Sequence, residues 1–129
     1  MKIDLDHLYY GAAVIQIAEH PSFTAINDYQ RNRVSIRCAY WVNRDIGIYL
    51  KYRTVADRQA NWGGKQANEY LFVFNTENLD HIANMKRRAS RMFIGLVCVQ
   101  DKQICCLSVR ELDSLIARRK QAQGYEEDQ

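Results

Sequence analysis

A chain of 129 residues, 47% hydrophobic and 26% charged, can bury one core without disulfides or a structural metal. One proline and six glycines exclude a low-complexity chain, and no run nears the roughly 18 consecutive apolar residues of a membrane span. The net charge of +3 is compatible with an anionic partner without requiring one.

The opening MKIDLDH lacks the basic-then-apolar order of a signal peptide, which points to the cytoplasm. Asp6 is placed to cap a helix over His7–Glu19, with Tyr10, Ala13, Val14, Ile17 and Ala18 at three- and four-residue spacings. His20-Pro21 ends that helix, since a residue before proline is pushed out of the α region. Ser22 is a candidate cap for a helical turn towards Tyr29, and 28–34 reads as a polar loop.

Two alternating stretches follow. Ser35–Val42 sets Ile36, Cys38, Tyr40 and Val42 against Arg37, Ala39 and Trp41. From Ile46 to Arg53, Ile46, Ile48, Leu50 and Tyr52 oppose Gly47, Tyr49, Lys51 and Arg53. A period of two is the mark of a strand. A three-residue loop, Asn43 to Asp45, pairs Val42 with Ile46 and Tyr40 with Ile48 and keeps one face wholly apolar; a one-residue slip inverts it. One of Asn43, Arg44 and Asp45 then takes the left-handed conformation. Arg37, Trp41, Tyr49, Lys51 and Arg53 would share the other, solvated face.

Residues 55–68 show no period and read as a surface loop or flap, with Trp62 and Lys65 flanking Gly63-Gly64. Glu69–Phe74 is apolar on both faces and predicts an interior strand. Asn75 or Thr76 caps a helix through Arg88, burying Leu79, Ile82, Ala83 and Met85 and ending in Lys86, Arg87 and Arg88, with Arg91 beyond. Met92–Val99 predicts a central strand, and 100–103 turns into Ile104–Leu107. Ser108 and Glu111 form a capping box for a last helix that buries Val109, Leu112, Leu115 and Ile116 and turns basic at Arg118, Arg119 and Lys120. The expected architecture is one α+β domain over 1–121, order αβββαββα, with a mixed sheet of about five strands flanked by helices. Residues 122–129 form a polar, acidic tail.

Cys38, Cys98 and Cys105 fall in apolar strand patterns and no C-x2–4-C pair occurs, so the thiols read as buried hydrophobes. His7, His20 and His81 lie in or beside helices, away from the cysteines. Gly63-Gly64 matches no phosphate-binding loop, and no nucleotide cofactor is indicated.

The order helix, three strands, helix, strand over residues 7–99 resembles the core of the PD-(D/E)XK, restriction-endonuclease-like nucleases. That resemblance implies an aspartate opening a strand, matched by Asp45, and a helix acid, matched by Glu19 or Asp6. It also implies an acid-x-lysine, for which Glu69 and Lys51 are the nearest residues. Asp45, Glu19 and Glu69 would hold Mg²⁺, and Asp45, Glu69 and Lys51 would be catalytic. The motif is broken, since Lys51 follows Tyr49 where an acid belongs and Glu69 is followed by no lysine; a degenerate core is the form implied. The pattern IGIYLKY…EYLFVF…LVCVQDKQICCL over 46–107 is also similar to small bacterial and phage-type proteins without assigned chemistry.

Two functions of different class follow. One is DNA or RNA binding through Arg37, Lys51, Arg53, Arg87, Arg88 and Arg91, with aromatics to stack on bases. The other is a protein-interaction or homodimerisation module docking through Trp41, Tyr49 and Trp62.

Overall fold

The computed structural model describes residues 1–123, except for the side chains of Trp62 and of residues 117–123. The elements run α1 (Leu5–Ala18), β1 (Ile26–Arg31), β2 (Val34–Val42), β3 (Ile46–Arg53), β4 (Arg58–Trp62), β5 (Lys65–Glu69), α2 (Thr76–Arg88), β6 (Arg91–Cys98), β7 (Gln103–Ser108) and α3 (Val109–Gln123). Five strands form one mixed sheet in the order β1-β2-β3-β6-β7, and β4 and β5 form a separate ribbon. Among the described residues β3 and β6 pair parallel and the other four pairs are antiparallel. The α+β class and the flanked five-stranded sheet are as expected. No helix among the described residues is long and apolar enough to cross a membrane.

The β2–β3 hairpin has the register that parity demanded, Val42 opposite Ile46 and Tyr40 opposite Ile48. Its loop is three residues, and two of them, Asn43 (φ 51°) and Arg44 (φ 83°), are left-handed. Asn43 also ties down the approach to β1. Its side-chain oxygen accepts from Thr24 N at 2.7 Å, Thr24 Oγ1 at 2.8 Å and Ala25 N at 3.2 Å, and its amide donates to Ser22 O at 2.8 Å.

Both faces of the sheet are covered. On one, α1 packs Ala13 and Tyr10 against Ile48, Leu50, Tyr52 and Val97. On the other, α2 and α3 bring Ile82, Met85 and Leu112 onto Ala39, Trp41, Tyr49, Met92 and Ile94. The second face was expected to be solvated. Trp41 is 9% and Tyr49 1% exposed, so neither offers an outer surface. Gly47 belongs to this face because the room for a side chain is already taken: an added Cβ would lie 2.5 Å from Met92 Sδ and 3.4 Å from the Trp41 ring.

Several elements depart from expectation. The cap of α1 is Asp4, not Asp6: its carboxylate accepts from His7 N at 3.0 Å, and His7 Nδ1 accepts from Asp4 N at 3.1 Å. The segment read as a helical turn and loop is the edge strand β1, closed onto β2 by a two-residue turn with Asn32 and Arg33 both at positive φ. The loop 55–68 contains the β4–β5 ribbon. Residues 70–75, after β5, are not a strand. Phe74 is buried while Leu71 and Val73 are exposed, because both edges of β3 are already occupied, by β2 and β6. In α2, His81 is buried with Ile82 and Met85, whereas Ala83 is exposed. The capping box of α3 forms, Glu111 N reaching Ser108 Oγ and Ser108 N reaching Glu111 Oε1, both at 3.2 Å. Leu112 is buried there and Leu115 is not. The thiols are free; Cys38 and Cys98 are part-buried, Cys105 and Cys106 exposed. The tail was expected from residue 122, but 122 and 123 continue α3; residues 124–129 of it, the side chain of Trp62 and those of Arg118, Arg119 and Lys120 lie outside the described residues.

Candidate functional site

Lys51 lies on the α2 side of β3, half-buried, with its ammonium 5.2 Å from the centre of the Phe74 ring. It donates to Asn78 Oδ1 at 2.9 Å; Asn78 Nδ2 donates to Tyr49 Oη at 2.9 Å; Tyr49 Oη lies 3.5 Å from His81 Nδ1. A polar chain thus runs from the surface to a buried histidine. Burial lowers the Lys51 pKa and raises those of Tyr49 and Cys38. The neighbours of Lys51 are an amide oxygen and an aromatic face, and no carboxylate lies in ion-pair reach among the described residues. Tyr49, at the position where the nuclease resemblance requires an acid, is a core residue.

The three carboxylates expected to hold Mg²⁺ do not meet. Asp45 sits in the turn before β3, where its backbone oxygen accepts from Ser90 N at 2.9 Å. Glu19 caps the C-terminus of α1. Glu69 ends β5 beyond the opposite end of β3 and is ion-paired to Arg58 across the ribbon. Among the described residues no three His, Cys, Asp or Glu side chains come together as a metal would need. The residues present do not fit a magnesium centre, and Lys51, held by Asn78, joins none of them. Asp6, the alternative helix acid, instead accepts the Tyr52 hydroxyl at 2.9 Å.

The six expected nucleic-acid contacts divide. Arg37 was expected beside Lys51, yet it lies on the α1 layer, bidentate to Asp4 at 2.8 and 3.0 Å and 3.6 Å from Asp6. The cause is a bulge: β1 steps from Asp28 opposite Tyr40 to Tyr29 opposite Ile36, so residues 37–39 have no partner on β1 and the strand's sidedness inverts. Arg53 is ion-paired with Asp57. Arg87, Arg88 and Arg91 are exposed and have no carboxylate in ion-pair reach among the described residues. Arg44 joins them. The parallel pairing that sets Ile46 beside Arg91 brings the β2–β3 turn to the C-terminus of α2, and Arg44, Arg88, Asn27 and Trp41 line one shallow recess of about 150 Å³. The Arg88 guanidinium stacks 5.1 Å from the Trp41 ring centre, and that of Arg91 lies 5.6 Å from Phe93. Lys86, by contrast, is paired with Asp113 at 3.0 Å.

Arg44 reads in the sequence only as a turn residue. Its place beside Arg88 depends on the β3–β6 register, which no local pattern reveals. No family model, curated protein or solved structure matches the chain.

Proposed function

We propose that this protein binds nucleic acid, gripping phosphates with the end of its sheet that carries Arg44, Arg87, Arg88 and Arg91. One observation carries the reading. Arg31, Arg37, Arg53, Arg58 and Lys86 are neutralised by ion pairs, whereas Arg44 and Arg88 share one recess, and they and the neighbouring Arg87 and Arg91 are exposed with no carboxylate in ion-pair reach among the described residues. Planar guanidinium forks suit phosphate oxygens, and two are propped by aromatic rings. The proposal is for binding and not for cleavage, since Glu19, Asp45 and Glu69 form no common centre. A degenerate restriction-endonuclease-like core is in keeping with it.

Fluorescence anisotropy with labelled single- and double-stranded DNA and RNA over a salt series tests it. Four phosphate contacts on a duplex give a log–log salt slope of roughly −3 to −4. The Arg44→Glu/Arg88→Glu variant should lose at least about tenfold in affinity. Binding that ignores salt, or survives both reversals, rejects the reading.

A second reading, self-association, is favoured by the outer face of α1. Leu5, Leu8 and Ile15 are 57%, 55% and 62% exposed, and with Ala12 they form a stripe at spacings of three, four and three. That is a coiled-coil seam with no partner among the described residues. The occupant it suits is α1 of a second copy.

A further inference from the structure

The β4–β5 ribbon is built from a near-duplicate, Arg58-Gln59-Ala60-Asn61 and Lys65-Gln66-Ala67-Asn68, folded on itself across Gly63-Gly64. Both glycines have positive φ, 57° and 85°, as a two-residue hairpin turn requires. The register sets Gln59 opposite Asn68 and Asn61 opposite Gln66. Directly opposed residues project to one face. Four side-chain amides therefore share a face, while Arg58, Ala60, Lys65, Ala67 and Glu69 occupy the other. Gln59, Asn61 and Gln66 are exposed, and Asn68 is part-buried where its amide donates to Asp101 at 2.9 Å.

This ribbon has none of its described side chains in the core. It has no substantial packing against a helix or the main sheet. It is held at its base by Asp57 N to Glu69 O at 2.8 Å, by Asn68 to Asp101, and by Tyr70, whose hydroxyl donates to the same carboxylate at 2.8 Å. Asparagine is a poor strand former, and a freestanding two-stranded ribbon is marginal. No residue of the amide face is itself charged; the carboxylate that touches it, Asp101, lies at its base and accepts from Asn68 and Tyr70, away from Gln59, Asn61 and Gln66 in the strand order.

Side-chain amides of Asn and Gln match the N6 donor and N7 acceptor of adenine, and a two-stranded ribbon fits the major groove, about 12 Å wide. Alternate residues on one strand stand about 6.8 Å apart, the rise of two base pairs at about 3.4 Å each. We propose that the ribbon enters the major groove of duplex DNA with Gln59, Asn61 and Gln66 towards the base edges, giving a preference for A·T pairs. This rests on the nucleic-acid reading above. The ribbon leaves the sheet at the far end of β3 from the arginines; eight residues span about 26 Å, so the probe must exceed about eight base pairs.

Anisotropy at one fixed salt should therefore compare three duplexes of about 16 base pairs, a length set by that span: an A·T-rich core, a G·C-rich core, and the A·T-rich core with every adenine replaced by 7-deazaadenine. The native chain should prefer the first by about tenfold. That preference should vanish with 7-deazaadenine, and in a folded Gln59→Ala/Gln66→Ala variant whose G·C-rich binding is unchanged. Equal native affinity for A·T and G·C overturns the ribbon's role and leaves the arginine reading standing, as does binding confined to single strands. A preference that survives 7-deazaadenine or the double variant also overturns it. No binding to any nucleic acid overturns both.

Discussion

Asn78 holds two neighbours at once, accepting from Lys51 Nζ and donating to Tyr49 Oη, each at 2.9 Å. It is also the third residue of α2, where its backbone N–H reaches the capping Asn75 at 2.8 Å and its oxygen accepts from Asn75 N at 3.1 Å. Asn78→Ala should therefore cost about 2 kcal/mol or more in urea unfolding, since a box bond and two side-chain bonds go together. Lys51→Met should not. Burial depresses the folded-state pKa of Lys51 below its unfolded value, so below the folded pKa the charged amine is a standing cost. Between the two pKa values the unfolded chain binds more protons, and stability rises with pH through that alkaline window. The methionine variant should be as stable as the native chain or up to about 1 kcal/mol more so at pH 7, and should show less rise between neutral and alkaline pH. A variant that unfolds markedly earlier at pH 7 would mean that the amine's hydrogen bond outweighs its desolvation. Lys51 was legible in the sequence as a residue set apart. Its partner was not, because Asn78 lies 27 positions away on a helix whose inward face the apolar pattern alone described.

The β2–β3 hairpin shows what local pattern can establish. Its register followed from the order Val42, loop, Ile46, since any slip would have crossed two different faces. The turn carries more strain than the sequence called for: one left-handed residue was expected among Asn43, Arg44 and Asp45, and both Asn43 and Arg44 are left-handed. Arg44 sits at φ 83°, where a side chain costs about 1 kcal/mol, so Arg44→Gly should leave stability unchanged or raised while weakening nucleic-acid binding. Asn43→Ala should cost about 2 kcal/mol or more, because it strains the left-handed position and frees Thr24 and Ala25 N–H groups together. Thermal unfolding separates the pair, and a destabilised Arg44→Gly would contradict the strain argument. Elements formed by polar residues were the ones missed. In β1 only Tyr29 is buried, and none of the described side chains of the ribbon strands is buried, so neither gave a hydrophobic period. Apolar 70–74 misled in the opposite direction: its composition suits a strand, but the α2 crossover places β6 in the slot beside β3.

At the scale of the molecule the sheet is unevenly dressed, with α2 and α3 on one face and α1 alone on the other. Beside α1 an apolar recess of about 510 Å³ remains, floored by Ile46, Ile48, Leu50 and Gly95. From Leu8 to Ala18 the helix carries no charged side chain, although its outer stripe faces solvent. A helix with both sides apolar normally lies between two partners. Here the inner side has the sheet, and the outer stripe Leu5, Leu8, Ala12 and Ile15 repeats as a two-heptad seam about 21 Å long. Such a seam is short, so its interface falls below the roughly 1,200 Å² of stable complexes and should give dissociation constants on the order of tens of micromolar. Sedimentation velocity across that range should show reversible movement towards twice the monomer mass. Leu8→Glu/Ile15→Glu should stay monomeric at every concentration while unfolding at the native temperature, because neither side chain contributes to the core. A native chain that remains monomeric at several hundred micromolar would reject the seam. Association that persists in the double variant would move the contact off α1 altogether.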